Sequence, residues 1–264
     1  MENFVQPKPC TILNVKRESE HEWTFRVASE AKPDHGQFMQ LSIPKIGEAP
    51  ISVSAQGDGW LEFTIRSVGR VTNCIFSKEK GDTLFLRGPY GKGWPSEEFR
   101  GKHLVVITGG TGLAPVRSLL HKCAGEKDFV KDVHLISGFK DEAGIVFHRE
   151  LKEWKEKFHT VYALDNDEKE GWRTGMVTAF VKEIPFGSFG DDYAVVVVGP
   201  PPMMKFTGLE LLNCGADPEK NMDEFLRERC PVPSESAATA ASMKSMSAWT
   251  DRFFPYTTAR DLVD

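Results

Sequence analysis

His103-Leu-Val-Val-Ile-Thr-Gly-Gly-Thr-Gly-Leu-Ala-Pro115 decides the fold. Leu104 to Ile107 is an unbroken apolar run, as a parallel strand buried on both faces requires. Gly109, Gly110 and Gly112 follow at once around Thr111, and an apolar-periodic segment opens at Leu113 and runs as a helix to Cys123. In a strand, glycine turn and helix in this order, backbone N–H groups can approach a pyrophosphate while the helix N-terminus offers partial positive charge. Pro115 suits the first helical turn, where a missing N–H costs nothing. A bare glycine pair would signify only a tight turn, but four glycine or polar positions in this context point to a nucleotide.

Toward the C-terminus the same grammar repeats. Val133 to Ser137, Val161 to Leu164 and Tyr193 to Val198 read as further strands, so residues 101–221 are expected to form a doubly wound α/β domain with a parallel sheet. Its last strand ends in Gly199-Pro200-Pro201-Pro202-Met203, a rigid wall at the carboxyl edge of the sheet, where open α/β sheets place ligands. Taken alone, that stretch could be a mere strand terminator. Gly138 and Asp165 end the intervening strands at the same edge, with Trp172-Arg173-Thr174-Gly175 close behind, although Asp165 also fits a solvated loop carboxylate.

Toward the N-terminus the period changes to that of short alternating strands: Thr11 to Val15, Trp23 to Val27, Gln37 to Ile43, Trp60 to Arg66 and Thr83 to Leu86. Residues 1–100 are therefore expected to form an antiparallel β-barrel, with one helical turn at Val71 to Phe76 and a linker over residues 91–102. Two segments in this half could hold a ligand. Ala49-Pro50-Ile51-Ser52-Val53-Ser54 is a strand entered through a proline. Arg66-Ser67-Val68-Gly69-Arg70-Val71-Thr72-Asn73 offers a diphosphate Gly69 for close approach, Thr72 at a helix start and the charge of Arg66 and Arg70. Each alone is more often a structural turn. Gly88-Pro89-Tyr90-Gly91 reads as a domain-linking turn whose Tyr90 could touch a ring.

A chain of 264 residues can bury two cores, and its 40% hydrophobic and 27% charged residues are those of an ordinary globular protein. No apolar run approaches the ~20 residues a membrane span needs, and Met1-Glu2-Asn3 does not open a signal peptide, so a cytoplasmic location is the expectation. A net charge of -5 without clustered Lys and Arg argues against a nucleic-acid surface. Five scattered cysteines, with no Cys-x-x-Cys pair, give neither a disulfide framework nor a cysteine metal site.

These segments, in this order, resemble the ferredoxin reductase family over residues 9 to about 213. Glu48 to Ser54, Leu86 to Gly91, His103 to Arg117 and Val198 to Thr207 look in particular like the B subunits of anaerobic sulfite reductases. Electron-transfer subunits of dihydroorotate dehydrogenase and of sulfhydrogenases are related alternatives. The resemblance implies a barrel that binds FAD and an α/β domain that binds NAD(P)H, with no catalytic acid or base, because hydride transfer needs positioning only. It places Pro50, Ile51, Ser52 and Val53 along the isoalloxazine, and Gly69 and Thr72 at the FAD diphosphate, where the charge read above for Arg66 would serve. Gly109, Gly110, Thr111, Gly112, Leu113 and Pro115 would hold the nucleotide, with Gly199, Pro200, Pro201 and Met203 beside the nicotinamide. Ala49 and Ile51 stand where many such reductases carry the arginine and tyrosine of an Arg-Pro-Tyr-Ser pattern. The partners implied are the iron-sulfur and sirohaem subunits of a sulfite-reducing complex. A reading of another class is a non-catalytic nucleotide-binding regulatory subunit.

The tail, residues 222–264, departs from the family. A lobe with four cysteines around a 2Fe-2S cluster is expected there, whereas Cys230 to Pro255 reads CPVPSESAATAASMKSMSAWTDRFFP, with one cysteine. Codons compatible with that stretch, read in a displaced frame, spell SCAVGKCGHCRIDEVYVCLDGPVFP, whose cysteine spacing suits a plant-type cluster. A compensated frameshift, in the gene or in its sequencing, is the inference, and the cluster ligands are expected to be missing from this polypeptide.

Overall fold

The structure, a computed structural model, describes residues 6–216. Residues 222–264, where the sequence leads to the expectation of a degenerate iron-sulfur segment, lie outside the described residues. Two lobes are present: a six-stranded barrel and a five-stranded parallel sheet flanked by helices.

The barrel is built from β1 (Lys8–Arg17), β2 (Glu22–Ala28), β3 (Phe38–Ile43), β4 (Gly47–Gly57), β5 (Trp60–Arg66) and β6 (Thr83–Tyr90), closed in the order β1-β2-β5-β4-β3-β6. Alternation drives it. In β3, Met39, Leu41 and Ile43 point into the core while Phe38, Gln40 and Ser42 point out. Phe25, Phe63, Leu61, Ile65 and Leu84 complete a core with no exposed members. The short helix α1 (Arg70–Ile75) lies against the start of β4, where Val71 comes within 3.4 Å of the place a side chain on Gly47 would take. Gly88-Pro89-Tyr90 is the end of β6, with a cis Gly88–Pro89 peptide, and not a linking turn.

The parallel sheet holds β7 (His103–Gly109), β8 (Asp132–Phe139), β9 (His159–Leu164), β10 (Arg173–Thr174) and β11 (Tyr193–Val198) in the order β10-β9-β8-β7-β11. The chain steps outward from β7 to β10, then crosses back to lay β11 on the other side of β7. The strand order therefore reverses between β7 and β11. Helices α2 (Ala114–Gly125) and α3 (His148–Lys157) flank the sheet, as do the short α4 (Phe186–Phe189) and α5 (Pro201–Asn213). Distinct cores on the two sheet faces explain the unbroken apolar runs 104–107 in β7 and 194–198 in β11: Leu104 and Val106 face one, Val105 and Ile107 the other. Among the described residues no helix is long and apolar enough to cross a membrane.

Residues 91–102 are no loose linker. Trp94 and Phe99 are buried in the core of the α/β lobe at 8% and 2% exposure, and Ser96–Phe99 forms a 3-10 turn. Trp94 is also a tether. Its backbone N–H donates to the His35 carbonyl at 2.6 Å, its indole occupies the space a side chain on Gly36 would need, and Nε1 donates to the Pro115 carbonyl at 3.0 Å.

Buried charges make a second connection. Arg117 of α2 donates to Glu62 of β5 at 2.6 Å and to Glu150 of α3, while lying over the Phe147 ring at 4.4 Å. Arg26 donates to the other oxygen of Glu62 at 2.7 and 2.9 Å. Burial pushes the Glu150 carboxyl up, but Arg117 beside it outweighs that and holds it below the usual carboxylate range.

Candidate functional site

The reversal between β7 and β11 is where an open α/β sheet forms its ligand crevice. Both of the turns singled out by sequence end there, and the glycines fit them together. A side chain on Gly112 would strike the Val198 carbonyl, and one on Gly109 would meet Met203 Sδ at 2.5 Å. One on Gly199 would strike the same sulfur. Met203 thus wedges between the two turns, and three of the predicted glycines are needed for packing. Gly110 differs: it has φ +55 and, among the described residues, nothing within 4 Å of where a Cβ would stand. Its open side, beside half-buried Thr111 and across from exposed Pro200 and Pro201, is a backbone-lined surface that a ligand can approach.

Residues 110–113 form a 3-10 turn before α2 begins at Ala114, so the helix starts one residue later than its pattern suggested. Leu113 is wholly buried, so only its backbone is open to a ligand. Pro115 sits in the first turn of α2 as expected, and its carbonyl accepts the Trp94 bond. Gly138 lies within β8, one residue before its end, and is buried under Val177, whose Cγ1 occupies the place of a side chain there, so it serves packing and does not open on the crevice. Asp165 follows β9, is exposed, and is tied by its backbone N–H to the Phe139 carbonyl at 3.0 Å; partial desolvation raises its carboxyl pKa.

On the barrel, the strand register decides which residues face outward. Gln40 pairs with Pro50 on β4 and with Arg87 on β6; Phe38 pairs with Ser52 and with Tyr90. Cross-strand partners share a face, so Pro50 and Ser52 stand outward in a row with Phe38, Gln40, Arg87 and Tyr90. Ile51 leans on the barrel core and Val53 is part of it at 2% exposure, with its N–H given to the Gln37 carbonyl. These two can meet a ring system only through their backbone. Sequence reasoning missed Gln40 and the pairing of Arg87 with Glu48 and Tyr90. The hydrogen bond from Arg87 holds the Glu48 carboxyl below its ordinary range.

At the turn before α1, Thr72 Oγ1 accepts the N–H groups of Val68 and Gly69 at 3.1 and 2.9 Å and donates to the Gly69 carbonyl. Its hydroxyl shapes the turn and is occupied in doing so. Gly69 has open space where a side chain would stand, and Arg66, exposed, reaches Glu22 at 3.3 Å. Because α1 lies against β4, this turn and the row of Pro50 and Ser52 belong to one neighbourhood of the barrel.

The residues fit a flat ring bearing a diphosphate. Among the described residues, Gln40 Oε1 is buried without a partner in the outward row, and Gly69 and Gly110 leave the space that side chains would fill. Helix α2 joins the halves, since it leads out of the β7 turn and packs on β4. A separate groove of about 650 Å³ between the lobes, lined by Arg26, Trp60, Arg117, His121 and Arg149, contains no sequence-predicted site residue; Arg26 and Arg117 there are paired with Glu62 and Glu150.

Comparison with known proteins agrees with this fold. Residues 106–208 match the oxidoreductase NAD-binding domain family. Sulfhydrogenase 2 subunit gamma of Pyrococcus furiosus is 34% identical over 242 residues, 85% of this chain and 80% of the relative. Sulfhydrogenase 1 subunit gamma of the same organism is 33% identical over 204 residues, 75% of this chain and 66% of the relative. A probable dihydroorotate dehydrogenase B (NAD(+)) electron transfer subunit from Methanopyrus kandleri is 36% identical over 120 residues, 45% of each chain. Among solved structures, a ferredoxin NADP+ reductase from Neisseria gonorrhoeae with bound FAD and NADP superposes with a TM-score of 0.68 at 22% identity, over 80% of this chain and 92% of that one.

Proposed function

The chain belongs to the ferredoxin reductase-like NAD-binding electron-transfer subunits, and from that premise we propose that it passes a hydride from NAD(P)H to FAD and delivers the electrons to a partner subunit. One observation carries the reading. The glycine turn after β7 and the Gly199-Pro200-Pro201 turn meet at the strand-order reversal, and the helix leaving that turn packs on the strand that presents Pro50 and Ser52.

The chain's own part is positioning. Gly110 and the start of α2 would hold the pyrophosphate of the nucleotide, with Pro200 and Pro201 walling the nicotinamide. Pro50, Ser52 and the backbone of Ile51 and Val53 would support the flavin ring, and the Gly69 turn, kept in shape by Thr72, would receive its diphosphate. A bound flavin supplies the exchange between two-electron uptake and one-electron release. Exclusion of water and a fixed approach are the contributions of the protein, and no acid or base is required.

For the acceptor we propose a sulfite-reducing complex with iron-sulfur and sirohaem subunits. The segments Glu48 to Ser54, Leu86 to Gly91, His103 to Arg117 and Val198 to Thr207 support it. Kinship with sulfhydrogenase gamma subunits favours a second reading, the electron-transfer subunit of a sulfhydrogenase or of dihydroorotate dehydrogenase. Purified protein should be yellow, and NADH or NADPH should bleach it without oxygen. Electrons should then pass to the sulfite-reducing subunits and not to dihydroorotate dehydrogenase or hydrogenase subunits. A colourless protein that takes up no FAD but still binds nucleotide would leave only the regulatory reading.

A further inference from the structure

At the amino edge of the parallel sheet, where its strands begin, four titratable side chains converge. The register sets His103 beside Asp132 across β7 and β8, and His134 beside His159 across β8 and β9. Residues two apart in a strand share a face, so Asp132 and His134 point the same way. His134 Nε2 lies 3.6 Å from Asp132 Oδ1, and the His134 and His159 rings stack with centroids 4.6 Å apart. One ligand atom from each of Asp132, His134 and His159 lies within 4.8 Å of the other two. His103 Nδ1 is 2.9 Å from Asp132 Oδ1, and its ring stacks on Phe189 at 4.4 Å. The cluster lines a cavity of about 530 Å³ that Glu183 and Ser188 also bound.

We propose that Asp132, His134 and His159 form a site for a borderline divalent transition-metal ion of the zinc class. Two imidazoles and one carboxylate are a donor set for such ions, whereas the hard cations magnesium and calcium take oxygen-only sets. Ligand bonds of about 2.0–2.1 Å place tetrahedral donor atoms roughly 3.3 Å apart, so the site must close somewhat on the ion. Exposed His159 can make that movement; Asp132 and His134 are half-buried. His103, bonded to Asp132, is the outer contact that orients a ligating carboxylate, and water or a shift of His103 completes the coordination. Strands of six to eight residues separate this edge from the nucleotide crevice, roughly 20 Å at about 3.3 Å per residue. The ion would clamp β8 to β9 at their starts and would take no part in hydride transfer.

Metal-stripped full-length protein titrated with cobalt(II), then zinc(II), tests the site. The parent should take up one equivalent of cobalt more than His159→Ala. That equivalent should show tetrahedral ligand-field absorption without thiolate charge transfer, and zinc should displace it. Zinc should raise the Tm of the parent and not of the variant, and Asp132→Asn should weaken zinc binding by about tenfold or more. His159 is exposed, so matching metal-free melting curves will show that its variant folds; His148→Ala, an exposed histidine outside the cluster, should bind as the parent does. Equal stoichiometry in parent and His159→Ala, or bound cobalt with thiolate absorption, would overturn the proposal.

Discussion

Gly110 and Gly112 stand two residues apart in one turn, and the structure gives them opposite work. An alanine at Gly112 would push its methyl into the Val198 carbonyl, so we expect Gly112→Ala to lose about 1–3 kcal/mol of stability in denaturant unfolding, as overpacked sites do. Gly110→Ala has room, and only its positive φ opposes it, at about 1–2 kcal/mol. Its methyl would instead project where the nucleotide is to lie. NADH titration should therefore show Gly110→Ala losing affinity out of proportion to its loss of stability; unchanged affinity would sink the assignment of this turn. That the stretch from His103 to Pro115 holds a glycine turn was legible because strand, turn and helix are local patterns. Which glycine faces a ligand was not, because Met203 and Val198 arrive from β11 and α5, some 90 residues onward in the chain.

Among elements, β4 and α1 show the same division. Alternation disclosed the barrel strands, yet the choice between Pro50 and Ser52 outward and Ile51 and Val53 inward depends on pairing with β3 and β5, and on the register shift between Val53 and Ala55. The Thr72 hydroxyl accepts two backbone N–H groups, so Thr72→Val should cost about 1–2 kcal/mol by leaving them unpaired. A loosened turn should also retain FAD less well on dialysis; retention equal to the parent would remove this turn from the flavin site. The edge strand β10 escaped notice because two residues carry no period.

For the whole molecule, Arg117 is the residue whose loss should be felt most. Arg117→Met leaves Glu150 buried without its cation, and the expected loss is about 3–5 kcal/mol by denaturant unfolding. The pH dependence follows from the sign of the Glu150 shift. Its folded pKa lies below the ordinary value of 4.5, so its contribution is fully present above that value and disappears as pH falls through the depressed one. Tm measured from neutral pH into acid should fall more steeply for the parent than for Glu150→Gln. Two lobes were legible from the change of period near residue 100, but this network was not, for Arg117 reaches partners 55 and 33 residues away.

Trp94 has a last consequence. Trp94, on the connecting strap and outside both proposed ligand surfaces, holds the barrel by its backbone N–H at His35 and by its indole at Gly36, and reaches the helix at Pro115 through Nε1, and so acts as a shim between them. Its thickness sets the gap. A smaller ring there would alter the spacing of the two proposed cofactor beds while leaving every atom that lines them chemically the same, which would make reach and recognition separately tunable in this architecture.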